Sequence, residues 1–531
     1  MRILLTCFFP YSFSGVSDGG GVTHYIALLK LKLEQLGHTV DYFGFDANKG
    51  KLWIPRLNSF MDNSSLYPFI EGRLLPYFTN HYPEMSEYMR INEVSKYGFE
   101  LAAAYCDLGS YDIIHAQDVI SSRAIWRVKP PHVPLITTVH GIIPYEQEIR
   151  GWASQDEEPV LWNYFCTQER IGLASNNWLV VTSNWTKEVV IADFGALPES
   201  LSIVQNGMDI GRFLVRMNEM ETVLKPPHLK VIACVARLAR EKGIGYLIEA
   251  LFRLKQERSD WECWVIGDGP DRYMLESAAF DYGLTPHIRF FGYRDDVPAL
   301  LKQCDLLAVP SLQENCPYVI MEAHVAGVPV VASRAGGIPD MIIHETTGLL
   351  VERGNSFELY AGLKRMLEDD AFRSQIAMQA MNWGRSYWSI DERVKGLLSL
   401  YKSATGSEVA TVSAVKATRK RAAVKRRSRL SRRLRSGVRK KARKGSKARS
   451  GRRLRRSSAA RTVKGRQKSR RLRRKLARRS VPAAAHDQLY RDLFHPTGSQ
   501  PIMEPDLWSY IRDRLPEGYT IPDPAIHATY G

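Results

Sequence analysis

The stretch DLLAVPSLQENCPYVIMEAHVAGVPVVASRAGGIPD, from Asp305 to Asp340, constrains the fold more than any other part of this chain. Leu306 to Val309 is a short apolar run ended by Pro310 and Ser311, the way a buried parallel strand ends in a turn. Glu314 falls in the loop that follows. Asn315 is a candidate N-cap, Pro317 suits a first helical turn and Gly327 a C-terminal stop, so a helix carrying Glu322 is expected from about Pro317 to His324. Pro329 to Ala332 is a second buried-strand run, and Arg334 to Gly337 a flexible Gly-rich turn. This order puts two carboxylates at the carboxyl end of a parallel sheet. Doubly wound folds bind ligands there, where helix N-termini offer unpaired N–H groups.

In that setting Glu314-x7-Glu322 resembles the signature of family 4 of the retaining, nucleotide-sugar-dependent glycosyltransferases. The resemblance covers about residues 1 to 403. It implies an α/β protein of the GT-B fold, with two Rossmann-like doubly wound domains facing a cleft. It also implies a nucleotide-sugar donor as substrate, no further cofactor and no metal ion. By the resemblance, Glu322 accepts hydrogen bonds from ribose hydroxyls and Glu314 contacts donor-sugar hydroxyls near the reacting centre. Many members carry Gly-Phe-Gly after the first glutamate, whereas this chain has Asn315, Cys316 and Pro317 before Tyr318. Pro317 has no N–H to offer a phosphate. Asn315, Cys316 and Tyr318 are still carried over as donor-binding positions.

The rest of the chain is organised to match. Ile3 to Phe9 reads as a first strand, Gly19, Gly20 and Gly21 lead into an amphipathic helix from about Val22 to Leu36, and Thr39 to Gly44 is the next strand. In the family this Gly-rich turn approaches donor phosphates and acceptor; by itself it is a tight turn. Ile113 to Ala116, Leu135 to Val139, Trp178 to Val181 and Leu201 to Val204 continue a parallel sheet. His115 and His140 both stand at its carboxyl edge. An isolated histidine there is more often structural, and His140 is the functional candidate because it matches the TVH position that touches the donor sugar in the family. Ser183, Asn184 and Thr186 read as a helix N-cap.

QNGMDIGRF, 205 to 213, resembles the family's interdomain hinge. Lys230 to Val235 opens the second domain, with Arg237 just past the strand and Lys242 just before a helix striped with Ile244, Leu247, Ile248, Leu251 and Leu254. Two cations beside a helix N-terminus make an anion site, and Arg-x4-Lys-Gly matches the family's diphosphate pair. Gly267 to Pro270 form a turn close enough to offer N–H groups, and Gly292 to Asp296 lie where the base is expected by resemblance. Adjacent Asp295 and Asp296 are a poor chelate without further ligands. Helices over about Phe357 to Leu367 and Ile390 to Tyr401 close the fold, the last crossing back. The expected organisation is residues 1–205 on the acceptor side, 206–403 on the nucleotide-sugar side, a basic tail over 404–482 and a short segment of unassigned role over 483–531.

Charge separates the tail from the body. Of 74 Lys and Arg, 33 lie between Lys416 and Arg479, with no acid between Glu408 and Asp487, so a net charge of +18 conceals a body near −15. Residues 418–480 lack aromatic residues and a core-forming composition, and read as disordered in isolation. Such a tract binds phosphate-rich polymers by counterion release. The charge argument admits nucleic acid, an anionic membrane or a cell-envelope polymer, with the acidic body as intramolecular competitor. Seven scattered cysteines without CxxC spacing read as reduced thiols, which points to the cytoplasm. No apolar run has transmembrane length, so membrane contact is expected only at the periphery. Two function classes remain: an active glycosyltransferase with a polyanion-binding tail, or an inactive GT-B scaffold or nucleic-acid-condensing protein acting through that tail. The four residues Arg237, Lys242, Glu314 and Glu322 favour the first.

Overall fold

The computed structural model describes residues 1–9, 20–46, 50–406 and 511–523. The expectations for Gly19, for the basic tract and for most of the final segment lie outside the described residues.

The strands of the first domain are β1 (Arg2–Cys7), β2 (Thr39–Phe45), β3 (Lys51–Ile54), β4 (Ser59–Asp62), β5 (Ile113–Ala116), β6 (Leu135–Val139), β7 (Trp178–Val181) and β8 (Leu201–Ile203). Their spatial order is β4-β3-β2-β1-β5-β6-β7-β8. Every residue of β5 and β6 is buried, as strands covered by helices on both faces require. The pairings are parallel except for β3 and β4, an antiparallel edge hairpin. Sequence reading overlooked that hairpin because KLWI and SFMD mix buried with exposed residues and lack the apolar run that marks the parallel strands. The helices are α1 (Gly20–Gln35), α2 (Tyr67–His81), α3 (Glu87–Ala104), α4 (Val119–Val128), α5 (Ile143–Arg150), α6 (Pro159–Ala174) and α7 (Asn184–Ala192).

After the crossing helix α8 (Ile210–Glu219), the second domain has β9 (Lys230–Val235), β10 (Trp261–Ile266), β11 (Ile288–Gly292), β12 (Leu306–Val309), β13 (Val330–Ser333) and β14 (Leu349–Val351). These form a parallel sheet in the order β11-β10-β9-β12-β13-β14. Its helices are α9 (Ile244–Lys255), α10 (Arg272–Asp281), α11 (Val297–Lys302), α12 (Tyr318–Ala326), α13 (Ser356–Glu368) and α14 (Asp370–Tyr387), with α15 (Ile390–Thr405) last. Strand order reverses between β9 and β12. Loops leaving their carboxyl ends diverge there and open a crevice.

Two chain crossings join the domains and brace each other. Met208 N–H donates to Trp388 O at 2.8 Å, and Ile390 N–H to Met208 O at 3.1 Å. A Cβ on Gly207 would stand 2.8 Å from Ile390 Cα, so a side chain there would part the crossings. Beyond them α15 returns to the first domain, where Ile390, Val394, Leu397 and Tyr401 pack with Ile3, Tyr25 and Leu29. The described part of the final segment docks on the same domain. Ile511 is fully buried, Leu515, Tyr519 and Ile521 pack beside it, Arg127 donates to Thr520 O at 2.7 Å, and Asp523 N–H donates to Tyr97 Oη at 2.9 Å.

One local expectation is corrected. Asn315 does not cap α12, which begins at Tyr318 with Pro317 in the cap position and no side-chain cap. The preceding loop is pinned by Gly337 N–H donating to Glu314 O at 2.9 Å, which leaves Asn315 too early to reach the helix amides. The C-terminal stop is Gly327 as expected, at φ +76°, a conformation glycine adopts without strain. Among the described residues no helix is long and apolar enough to cross a membrane. Six of the seven cysteines are buried, and Cys304 is partly exposed.

Candidate active site

The crevice between β9 and β12 brings together Lys242 and Glu314, 72 residues apart in the chain. Lys242 Nζ stands 2.6 Å from Glu314 Oε1, which also accepts from Ser311 Oγ at 3.2 Å. Arg237, half exposed at the end of β9, pairs with Glu241. Burial works to raise the pKa of Glu241; a backbone hydrogen bond and the guanidinium groups of Arg150 and Arg237 outweigh it and hold the carboxyl below its usual range. Both cations therefore have a protein carboxylate as partner, and both are accessible enough to exchange it for a bound anion.

The glycines beside them serve backbone approach. A Cβ on Gly267 would meet Ala236 O at 2.0 Å and one on Gly269 would meet Leu238 O at 2.4 Å, so these positions press the turn against the residues flanking Arg237. The expected N–H groups are spent internally: Gly267 donates to Gly292 O at 2.8 Å and Gly269 to the Asp268 carboxylate at 2.7 Å. Gly267 thus builds the loop, and its amide is not free for a ligand. Further along this edge Met220, Glu221, Tyr293, Arg294, Asp295 and Asp296 line an open cavity of about 530 Å³, where the base was expected. Asp296 is held by Arg294, at 2.7 Å from Nε, and by Thr222 Oγ1 at 2.7 Å. Among the described residues no cluster of His, Cys, Asp and Glu is arranged to hold a metal ion.

Glu322 lies on α12 in a half-buried position, and burial pushes its carboxyl up to about 7, with Arg216 opposing. Tyr318, at the start of the same helix, reaches the first domain. Its ring lies 3.6 Å from where a Gly21 Cβ would be and 4.9 Å from the His24 ring, edge to face. Its buried hydroxyl has no hydrogen-bond partner among the described residues. Gly20 and Gly21 are exposed at the N-terminus of α1, where helical amides lack partners. Cys316 is buried, its thiol pushed up to about 12 by burial, and its carbonyl accepts from Asn206 Nδ2 at 3.4 Å.

The first domain contributes hydrogen-bonding groups. His140 Nε2 lies 3.1 Å from Gln117 Oε1, and burial pushes the ring down to about 4, so it is neutral at neutral pH. An amide oxygen only accepts, so this contact fixes the proton on Nε2. The His140 carbonyl accepts from Asn315 Nδ2 at 2.8 Å, across the cleft. His115 is structural: fully buried, it bonds Tyr401 Oη at 2.6 Å and Thr138 Oγ1 at 2.7 Å, and burial lowers its pKa to about 3. Ser183 caps α7 as expected, accepting from Thr186 N–H at 3.1 Å, and its hydroxyl also donates to Asn315 Oδ1 at 2.9 Å.

Sequence reasoning missed Glu241, Gln117 and Arg150. Glu241 sits inside Arg237-x4-Lys242, so the motif itself carried the signal. Gln117 follows β5 in DIIHAQD, where His115 drew the attention. Arg150, at the end of α5, bridges Glu146 at 3.5 Å and Glu241 at 3.3 Å. Nothing in its local sequence marks it, because its partner belongs to the other domain.

Comparison with known proteins agrees with this fold. Residues 19–212 match the family described as Glycosyltransferase Family 4, and residues 215–383 the one described as Glycosyl transferases group 1. The chain is 27% identical over 413 residues to the D-inositol 3-phosphate glycosyltransferase of Corynebacterium kroppenstedtii, covering 74% of this chain and 88% of that protein. It is 30% identical over 247 residues to the 2-deoxystreptamine glucosyltransferase of Streptomyces kanamyceticus, covering 45% and 64%. Among solved structures, HepE of Anabaena in complex with UDP superposes with a TM-score of 0.51 at 20% identity, over 76% of this chain and all of that one. The sucrose-phosphate synthase of Thermosynechococcus elongatus does so with 0.56 at 17%, over 76% and 99%. The structural likenesses show the fold, and the family matches span both domains around the crevice: this chain belongs to family 4 of the GT-B glycosyltransferases.

Proposed function

We propose that this glycosyltransferase takes its sugar from a nucleoside-diphosphate sugar and transfers it with retention of anomeric configuration. The observation that carries the reading is the Lys242–Glu314 pair, 2.6 Å apart, beside Arg237. Departure of the nucleotide breaks the anomeric C–O bond, and its electron pair stays on the diphosphate. Arg237 and Lys242 exchange their carboxylate partners for that growing charge, the kind of electrostatic stabilisation that usually dominates such transfers. Lys242 then leaves Glu314 free to accept from donor-sugar hydroxyls. Glu322 accepts from the ribose, and the 530 Å³ cavity beside Tyr293 takes the base. The acceptor hydroxyl attacks from the face the diphosphate leaves, and its proton passes to a departing phosphate oxygen.

Support for the donor class comes from HepE of Anabaena, solved with UDP and with UDP-glucose. The names of two relatives, D-inositol 3-phosphate glycosyltransferase and 2-deoxystreptamine glucosyltransferase, suggest a cyclitol as acceptor. The tract 418–480 adds polyanion binding, on charge alone. The test is a screen of UDP, GDP and ADP sugars for hydrolysis and for transfer to inositol phosphate and 2-deoxystreptamine, with the product's anomeric configuration read by NMR. Turnover with one donor and a retained anomer is expected. An inverted product removes the retaining mechanism, and no nucleotide release from any donor removes the donor assignment.

A further inference from the structure

Asn315 occupies the first of the positions where many family members carry Gly-Phe-Gly, and its side chain does something glycine cannot. It lies on the second domain, one residue after Glu314, yet every side-chain hydrogen bond it makes is to the first domain. Oδ1 accepts from Ser183 Oγ at 2.9 Å and from Thr186 Oγ1, and Nδ2 donates to His140 O at 2.8 Å. The residue is 8% exposed, and Ser183 and Thr186 are fully buried. A buried amide left without these partners would be costly. The contact therefore specifies one relative placement of the two domains.

The surrounding residues fit the same placement. A Cβ on Gly337 would stand 2.0 Å from Asn315 O and 2.6 Å from Ser183 Cβ, so only glycine lets the loop after β13 approach α7 this closely. Asp340 in that loop accepts from Asn184 N–H at the N-terminus of α7 and, at 3.2 Å, from Asn184 Nδ2. A carboxylate at a helix N-terminus is favoured by the exposed amides there.

We propose that Asn315 is a positioning residue: its carboxamide latches the Glu314 loop of the second domain to the ends of β6 and α7, and so sets the closed cleft in which Glu314, Lys242 and His140 meet. This rests on the proposed donor site, since closure matters for transfer only if the cleft binds the donor. A domain in two placements responds to a ligand by the difference in affinity between them. The latch lowers the energy of the closed placement before the donor arrives.

The test labels the full chain at Leu36→Cys and Phe280→Cys, both exposed and on opposite domains, and reads the interdomain distance by single-molecule energy transfer without ligand. Asn315→Ala is expected to lower the closed-to-open ratio by roughly tenfold or more, since it removes three hydrogen bonds. Thr186→Val should do so less, and the double variant should match Asn315→Ala, because both act through one contact. Asn315→Asp, which keeps the acceptor and loses the donor to His140 O, should fall between. A distance distribution unchanged in Asn315→Ala, with or without a lower melting temperature, overturns the latch, as do additive effects in the double variant. Titration of the unsubstituted chain with UDP, GDP and ADP reads the donor site separately: absence of binding by all three removes the donor reading and leaves the ligand-free distances to decide the latch.

Discussion

Two sets of paired charges in this protein look alike on paper and behave as opposites. Inside the first domain, Glu93 is fully buried among Lys96, at 3.1 Å, Arg123, at 3.4 Å, Tyr164 and Gln168. In the crevice, Lys242 and Arg237 each meet a single carboxylate, and Arg237 is half exposed. Every oxygen of Glu93 is shared among several donors, and burial pushes Lys96 down to about 8. Such a cluster has no vacancy for a ligand, and removing one member strands the others. The crevice pairs are partly exposed, so their partners are open to exchange. The difference between the two kinds of ion pair lies in what surrounds them, and residue type alone does not reveal it.

The most severe way to break this contrast is Glu93→Ala. Leaving Lys96 and Arg123 buried without their carboxylate should cost about 3 to 5 kcal/mol of stability, read by urea unfolding of the full chain; a loss near that of a surface pair would show the cluster to be wet. Lys242→Ala should do the reverse. Its partly exposed pair contributes about 0 to 1 kcal/mol to stability, while about 2 to 4 kcal/mol of transition-state stabilisation is lost. Turnover with the donor found by screening, measured beside the melting curve, separates the two quantities.

Glu322 sharpens the comparison from a middle position, being half buried with one distant cation. Glu322→Gln should weaken nucleotide binding by about 1 to 3 kcal/mol, read by calorimetry. Its carboxyl is raised from 4.5 to about 7 in the folded chain. The sign follows: its contribution to stability is fully present below pH 4.5 and is lost as pH rises through about 7. The charged form that accepts best from ribose hydroxyls grows over the same window. Nucleotide affinity of the native chain should therefore rise between about pH 6 and 8, and the Gln variant should flatten that rise; equal slopes in both would remove Glu322 from the ribose.

The smallest effect on the body is expected from deleting residues 418–480. Unfolding of the remainder and transfer to a small acceptor should change little, while salt-sensitive binding to an anionic polymer should disappear. The truncated chain retaining the same affinity and salt slope would show that the polymer binds elsewhere.

Much of the site was legible in the primary structure because its physics is local. A strand end, a turn and a helix start follow one another within a few residues, so Arg237 with Lys242 and Glu314 with Glu322 could be put at carboxyl edges from their neighbours alone. The strand limits of β5, β6, β7, β9 and β12 coincide with the runs read from sequence, since parallel strands covered on both faces are mostly apolar. What only the tertiary structure decided are the contacts between residues far apart in the chain. Asn315 was read as a helix cap and is instead bonded to Ser183, Thr186 and His140; Arg150 gave no signal and meets Glu241; Gly267 looked like a donor of N–H groups and spends its own on Gly292. A polar side chain takes whichever partner the packed domains bring within about 3 Å, and that choice is made by the closing of two sheets that no local pattern encodes.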